Sequence, residues 1–294
     1  MILHHLRIAA FAAFSLCAAS SAALATEGAS QYPDGAESFM AGAVPPPGFY
    51  FLNYVTHYSA DRLNDSGGNK LPIDFSLRAT AEVARLVWTS PYKVFGAHWG
   101  MQVIAPMVNL DYKVAGASHH QFGLGDVTLS PAILSWHWQH LHVAASLDIF
   151  APTGKYDKAL PLNIGANYWG FEPVLAATYI TDGGFEVSAK LMYDINTRNE
   201  DTDYRSGQAF HMDYAVTQHW NNLSFGVVGY VFVQTTEDNR AGVTVDNRAR
   251  AFAIGPGLKY DFKGVSMIGK WQHDYVADNR PMGDKFWLKL IVPL

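Results

Sequence analysis

Along residues 184–196 apolar and polar positions alternate without a break. Phe185, Val187, Ala189, Leu191, Tyr193 and Ile195 share one face; Glu186, Ser188, Lys190, Met192, Asp194 and Asn196 share the other. A period of two is that of an extended strand. One face is apolar with aromatic ends and the other carries three charges, which suits a sheet with lipid on one side and a polar lumen on the other. The unit recurs. From residue 49 onward the alternation predicts twelve strands, at 49–59, 73–89, 94–110, 123–138, 141–151, 167–180, 184–196, 207–220, 223–235, 249–262, 265–277 and 284–294. Their connections alternate long and short. The segments 60–72, 111–122, 152–166, 197–206, 236–248 and 278–283 are loops; 90–93, 139–140, 181–183, 221–222 and 263–264 are tight turns. An even strand number with loops at one end and turns at the other predicts an all-β fold, a closed antiparallel up-and-down transmembrane β-barrel of about 12 strands. Closure removes the sheet edges that lipid does not tolerate.

The chain ahead of the barrel divides in two. In residues 1–25, Arg7 precedes an apolar run at 8–19 too short to span a bilayer, and Ala23-Leu24-Ala25 forms a small-x-small cleavage site. This is the pattern of a secretory signal peptide, with the mature chain starting at Thr26. Residues 26–48 hold Tyr32-Pro33-Asp34-Gly35 and Pro45-Pro46-Pro47-Gly48, a turn-rich, irregular segment. It is expected to be a plug in the barrel mouth or a periplasmic tail, with the barrel occupying 49–294.

Composition narrows the class. The one cysteine, Cys17, falls in the signal peptide, so the mature chain has no disulfide framework. Losing Arg7 leaves 20 basic against 26 acidic residues, a net charge of −6, and gives no footprint for nucleic acid. Charged residues make up 16% of the chain and aromatics 14%, against roughly 25% charged in soluble domains. No apolar run after the signal approaches the roughly 18 residues of a membrane helix.

The polar faces of the strands supply the candidate lumen residues: Arg78, Glu82, His98, Asp126, Asp148, Glu172, Glu186, Lys190, Asp194, His211, Asp213, Lys259, Lys270 and Asp274, with His142 and Asp261 beside them. They either line a path that selects solutes or brace a narrow barrel as ion pairs, mixed signs supplying partners for charges in a low-dielectric wall. For any one residue bracing is the plainer reading. His137, His140 and His142 offer imidazoles, but they flank a predicted turn beside Trp136 and Trp138, which reads as an interfacial girdle rather than a metal site. Thr153-Gly154-Lys155 lacks the upstream glycine and following helix of a phosphate loop. Ser130 and Ser146 have no evident histidine at a matching depth, as a nucleophile would need. No catalytic residue, cofactor or metal is expected.

A family resemblance lies in Glu27-Gly28 with Tyr32-Pro33-Asp34-Gly35; Pro45-Pro46-Pro47-Gly48-Phe49-Tyr50; Gly125-Asp126 with Leu129-Ser130-Pro131; and Asp148 with Ala151-Pro152-Thr153-Gly154-Lys155-Tyr156. It continues in Asn163-Ile164-Gly165-Ala166-Asn167-Tyr168-Trp169, Ser206-Gly207 with Phe210-His211-Asp213, and Gly255-Pro256-Gly257 with Tyr260. In this ordered set the chain resembles the outer-membrane family named for the meta-pathway of phenol degradation (SphA-like transporters). The resemblance implies a Gram-negative outer-membrane, porin-like channel for passive uptake of small hydrophobic, aromatic compounds. Its partners would then be outer-membrane lipids, the solute, and the barrel-assembly machinery during biogenesis. A lipid-acting enzyme and a structural or adhesive barrel are the alternatives. On this reading the protein sediments with envelope membranes and leaves them only in detergent; recovery in the soluble fraction without detergent would overturn the membrane fold.

Overall fold

The computed structural model describes residues 30–294; the expected signal peptide lies outside them. The strands are β1 (Gly48–Leu63), β2 (Phe75–Val94), β3 (Ala97–Val114), β4 (Ala117–Leu124), β5 (Val127–His137), β6 (Leu141–Ala151), β7 (Gly170–Ile180) and β8 (Phe185–Asn196). They continue with β9 (Tyr204–Arg205), β10 (Ala209–Trp220), β11 (Leu223–Gln234), β12 (Asp238–Arg240), β13 (Val243–Val245), β14 (Arg250–Phe262), β15 (Val265–Asp278) and β16 (Pro281–Pro293). Twelve of them, all except β4, β9, β12 and β13, pair antiparallel with both neighbours and close a ring. The seam joins β1 to β16, from Tyr50↔Pro293 to Leu63↔Pro281. The short strands β9, β12 and β13 form a separate small sheet in the loops.

Two connections differ from the sequence reading. Residues 111–122, expected as a loop, are strand: β3 runs on to Val114 and folds back as β4. The turn sits at Ala115-Gly116, with φ of 49° and 89°, the left-handed pair that a two-residue hairpin requires. Leu110, Tyr112 and Val114 are buried there while Asp111 is exposed, so an alternating strand with a polar outer face resembled a polar loop. The expected turn at 90–93 is also strand, and the chain reverses at Phe95-Gly96 with φ of 52° and 76°. The fourth expected strand is broken at Gly125-Asp126. Residues 107–114 of β3 pair with β4, and residues 98–104 pair with β5.

The outside carries a belt of exposed large apolar side chains from most strands, among them Leu86, Met101, Val103, Leu147, Leu175, Val187, Val216, Phe225, Leu258, Leu288 and Leu290. A water-soluble surface rarely gathers such a continuous apolar area; a lipid-facing barrel needs one. Aromatics cluster at the turn end, where Trp88 meets Trp99 edge-on at 5.2 Å and lies against Phe49 at 6.1 Å.

The inside of the loop half is a hydrophobic core. Tyr58, Leu77, Ala79, Ala81, Val108, Leu110 and Tyr112 point inward and pack with Leu162 and Ile164 of the 152–169 loop and with Tyr32 and Ala36. This reverses two expected lumen residues. Arg78 and Glu82 lie on the outer face of β2, exposed, with Glu82 accepting from Asn53 Nδ2 at 3.1 Å. The apolar half of the β2 alternation turns inward because loop and plug residues, not water, fill the barrel there. β2 is 20 residues long, about twice what a tilted strand needs to cross a bilayer. Its loop end, with Arg78, Glu82 and the exposed His120–Asp111 pair at 2.7 Å, therefore stands beyond the apolar belt.

Gly229 of β11 lies opposite Tyr214 of β10. The Tyr214 ring crosses it, donates to the Ala253 carbonyl oxygen at 3.1 Å and stacks on Phe252 at 6.3 Å. A Cβ at Gly229 would sit 2.1 Å from that carbonyl and 2.4 Å from Tyr214 Oη, so the bare glycine lets an aromatic cover the strand. Gly229→Ala should displace the ring and cost about 1–2 kcal/mol in lost hydrogen bond and aromatic contact. The check is a lower temperature for heat-induced loss of the compact barrel band on gels; an unchanged transition would refute this packing role.

Candidate functional site: a lumen with an internal plug

Residues 30–47 run through the barrel interior with no regular strand or helix. Pro33 and Pro45–47 have no N–H, and Gly35 takes φ of 84°, so the segment is ill suited to join the sheet. Its remaining backbone groups still need partners when buried, and the wall provides them. Asp213 on β10 accepts from the N–H of Gly35 at 2.7 Å, the N–H of Glu37 at 2.8 Å and the Tyr32 hydroxyl at 2.7 Å. From β15, three strands along the ring, Lys270 Nζ donates to the carbonyl oxygens of Gly35, Ala36 and Glu37 at 2.5, 2.8 and 3.2 Å. Lys285 Nζ donates to the Asp34 carbonyl at 2.7 Å. Further along, Met40 N–H reaches Glu186 at 2.6 Å, and Gly42 N–H reaches Thr178 Oγ1 at 3.0 Å.

The plug carries two acids of its own. Glu37 takes Arg85 Nη1 at 2.7 Å and the Tyr54 hydroxyl at 2.8 Å on one oxygen, and Lys289 Nζ at 2.5 Å on the other. Burial alone would raise its carboxyl, but Lys289 and then Arg85 outweigh that and hold it well below the usual range. Asp34 accepts from Arg280 Nη2 at 2.8 Å. Burial is again opposed, here by Arg280 and His211, and the carboxyl is brought down to about 2.

The sequence-derived residues fall into distinct roles. Asp213, Lys270 and Glu186 hold the plug, and Glu186 also takes His219 Nε2 at 2.5 Å. Asp126 lies in the break before β5, where it accepts from Gly154 N–H, Ala166 N–H and Gln31 Nε2 at 2.9, 2.8 and 3.1 Å, tying the 152–169 loop to the plug. Asp148 accepts from Ser130 at 2.5 Å and Ser146 at 3.1 Å and lies 3.9 Å from Lys190, whose ammonium sits 4.2 Å above the Tyr32 ring. Asp274 accepts from Tyr58 at 2.9 Å and from Tyr230. Lys259 pairs with Asp261 near the turn end, and His98 Nδ1 lies 3.2 Å from the Ser90 carbonyl there. Glu172, Asp194 and His211 meet in one buried cluster whose ligand atoms all lie within 4.8 Å of one another. Arg78 and Glu82 are not part of the lumen.

The sequence reading did not single out Asp34, Glu37, Arg85, His219, Arg280, Lys285 or Lys289. Lys285 and Lys289 carried a signal, a polar face opposite Phe286, Leu288 and Leu290. So did Arg85, a lone charge in phase with Ala79, Ala81 and Val83. Asp34 had only its place in the Tyr32-Pro33-Asp34-Gly35 stretch, and Glu37 carried none, since their segment has no periodicity.

Two cavities flank the plug. One of about 490 Å³ lies toward the turn end, with Phe39, Met40, Val44, Leu52, Val87 and Ile133 among its walls. A smaller one of about 70 Å³ lies toward the loops, against Tyr32, Ile104, Phe150, Ile164 and Trp287. Glu37, Arg85, Gln102 and Lys190 border both, so a charged collar stands between two largely apolar chambers.

An outer-membrane channel from Pseudomonas putida F1 has a similar structure, with a TM-score of 0.80 at 18% identity over 88% of this chain and 99% of that one. The translocator domain of the autotransporter NalP from Neisseria meningitidis gives 0.51 at 9% identity, covering 86% of this chain and 91% of that one. The beta domain of the Bordetella autotransporter Brka gives 0.52 at 9%, covering 85% and 100%. These likenesses concern the fold. No curated protein matches the chain in sequence. The profile of one family, described as "Putative MetA-pathway of phenol degradation", matches residues 60–290, and the chain belongs to that family.

Proposed function

We propose that the protein is an outer-membrane channel through which small hydrophobic, aromatic solutes diffuse once the plug yields. The observation that carries this reading is the pair of apolar chambers separated by the Glu37–Arg85–Lys190 collar. A cavity of about 150 Å³ holds benzene. The 490 Å³ chamber therefore has room for a one-ring solute and the 70 Å³ chamber has not. Passage requires the segment around Glu37 to move. The phenol-degradation description of the family and the channel-like fold support the same solute class. The wall charges act on the plug in this reading, setting when the path opens, and apolar side chains carry the solute.

Vesicles with lipopolysaccharide in the outer leaflet, loaded with a phenol-oxidising enzyme, report phenol entry directly. Entry several-fold faster with the protein than without it is expected; equal rates would sink the transport reading. Glu37→Gln leaves Lys289 and Arg85 without their countercharge, and breaking such a buried pair costs about 3–5 kcal/mol. Phenol entry through this variant should exceed that of the parent at pH 7, and hydrogen exchange across residues 30–47 should speed up. Slower entry would mean that the plug does not obstruct the path.

Docking of the plug should also depend on pH. A carboxyl lowered on docking stabilises the docked state above its undocked pKa, about 4.3 for a glutamate, and that contribution fades as pH falls through the depressed value. For Glu37 and Asp34 the plug should stay protected from exchange between pH 7 and about 5 and loosen only in stronger acid, while Glu37→Gln loses the share of Glu37 and keeps that of Asp34. Loosening of the parent between pH 7 and 5 would show that these two acids do not hold it.

A further inference from the structure

We propose that Glu172, Asp194 and His211 bind one divalent transition-metal ion of the zinc type, inside the barrel wall and directly under the plug. The three come from the adjacent strands β7, β8 and β10, all pointing inward, and are 0%, 4% and 0% exposed. Glu172 Oε1 and Asp194 Oδ2 have no partner, and Glu172 Oε2 and Asp194 Oδ1 have one nitrogen, His211 Nε2, between them. A buried carboxylate without donors is costly unless paired or bound to a metal.

The three ligand atoms lie within 4.8 Å of one another, close enough to share one ion. His211 Nε2 lies 3.1 Å from Glu172 Oε2 and 3.3 Å from Asp194 Oδ1. Charge-assisted N–H···O⁻ bonds close to about 2.7–2.9 Å. Ligand atoms on a tetrahedron around zinc, with bonds of about 2.0–2.1 Å, stand about 3.3 Å apart. The charges agree: a protonated imidazole brings one positive charge against two carboxylates, a divalent ion brings two. Lys190, the nearest amine on β8, lies 3.9 Å from Asp148, and Arg280 is engaged by Asp34.

A carboxylate also stands behind the imidazole. The other ring nitrogen, Nδ1, faces Asp34 Oδ1 at 3.3 Å, and Asp34 is fixed by Arg280 at 2.8 Å. A carboxylate behind the imidazole is the usual device for fixing the tautomer and orienting the ring. Tyr32 and Phe232 flank the imidazole at 5.3 and 6.1 Å and shield the site from water. One imidazole and two carboxylates form a donor set suited to zinc and similar borderline ions. Because Asp34 belongs to the plug and stands behind His211, the ion would sit at the boundary between wall and plug.

The test uses the folded, detergent-purified protein, stripped with a chelator and titrated with zinc chloride. One equivalent of zinc bound, with a rise in the thermal transition on adding it back, is expected. Glu172→Gln should weaken binding at least tenfold. Asp34→Asn, which keeps all three ligands, should weaken it about 10–100-fold. His273→Gln, on the outer face, should leave it unchanged. Should wall variants fail to assemble, the parent protein alone decides, through its stoichiometry and its zinc-dependent transition. Less than a tenth of an equivalent with no thermal shift would overturn the site and leave a proton-bridged cluster. Zinc binding that survives Glu172→Gln undiminished would overturn it equally. Phenol entry does not enter this test, so its failure is separate from any failure of the transport reading.

Discussion

An acid and an amine three strands apart on the barrel wall grip the same short turn of the plug. Asp213 takes the N–H groups of Gly35 and Glu37, and Lys270 takes the carbonyls of Gly35, Ala36 and Glu37. A peptide with no strand partner cannot lie buried unless side chains replace the sheet hydrogen bonds it forgoes. That need explains why so many acids and bases point inward in a barrel whose chambers are otherwise apolar. The lysines, arginines and acids of the wall act as a substitute ladder for an irregular chain, and the plug answers with Asp34 and Glu37.

Filling the lumen also changes what the wall strands have to be. Where the plug and the 152–169 loop press on β1 to β4, the inward face is Tyr58, Leu77, Ala79, Leu110 and Tyr112, as in a soluble domain. Toward β7, β8 and β10 the same interior is polar, with Glu172, Glu186, Asp194, His211 and Asp213. The barrel is thus two-sided around its own circumference, one arc packed and the other hydrogen-bonded, and the plug lies between them.

That division decides what was legible in the chain. On β8 the polar face turns inward, so alternation alone placed Glu186, Lys190 and Asp194 in the lumen. On β2 the alternation was equally clean, but its sense is inverted, and Arg78 and Glu82 went to the wrong side. Periodicity fixes which residues share a face and not which face looks inward; only knowledge of what fills the barrel supplies the sign. The strand number was readable because long and short connections alternate. The hairpin at Ala115-Gly116 was not, because its outward residues are as polar as a loop. The plug partners were least readable, since Asp34 and Glu37 depend on contacts with Arg280, Lys289 and Arg85 distant in sequence.

The seam between β1 and β16 gathers several of these threads. Residue 47 leads straight into β1, which carries Tyr54 and Tyr58, while β16 carries Lys285 and Lys289 and follows Arg280. The two strands that meet at the seam carry several of the side chains that reach Glu37 and Asp34. Zipping the seam and seating the plug bring together the same charges, so the folded ring holds a memory of its closure: a barrel sealed with its plug outside would leave Lys289 and Arg280 without the Glu37 and Asp34 carboxylates that pair with them.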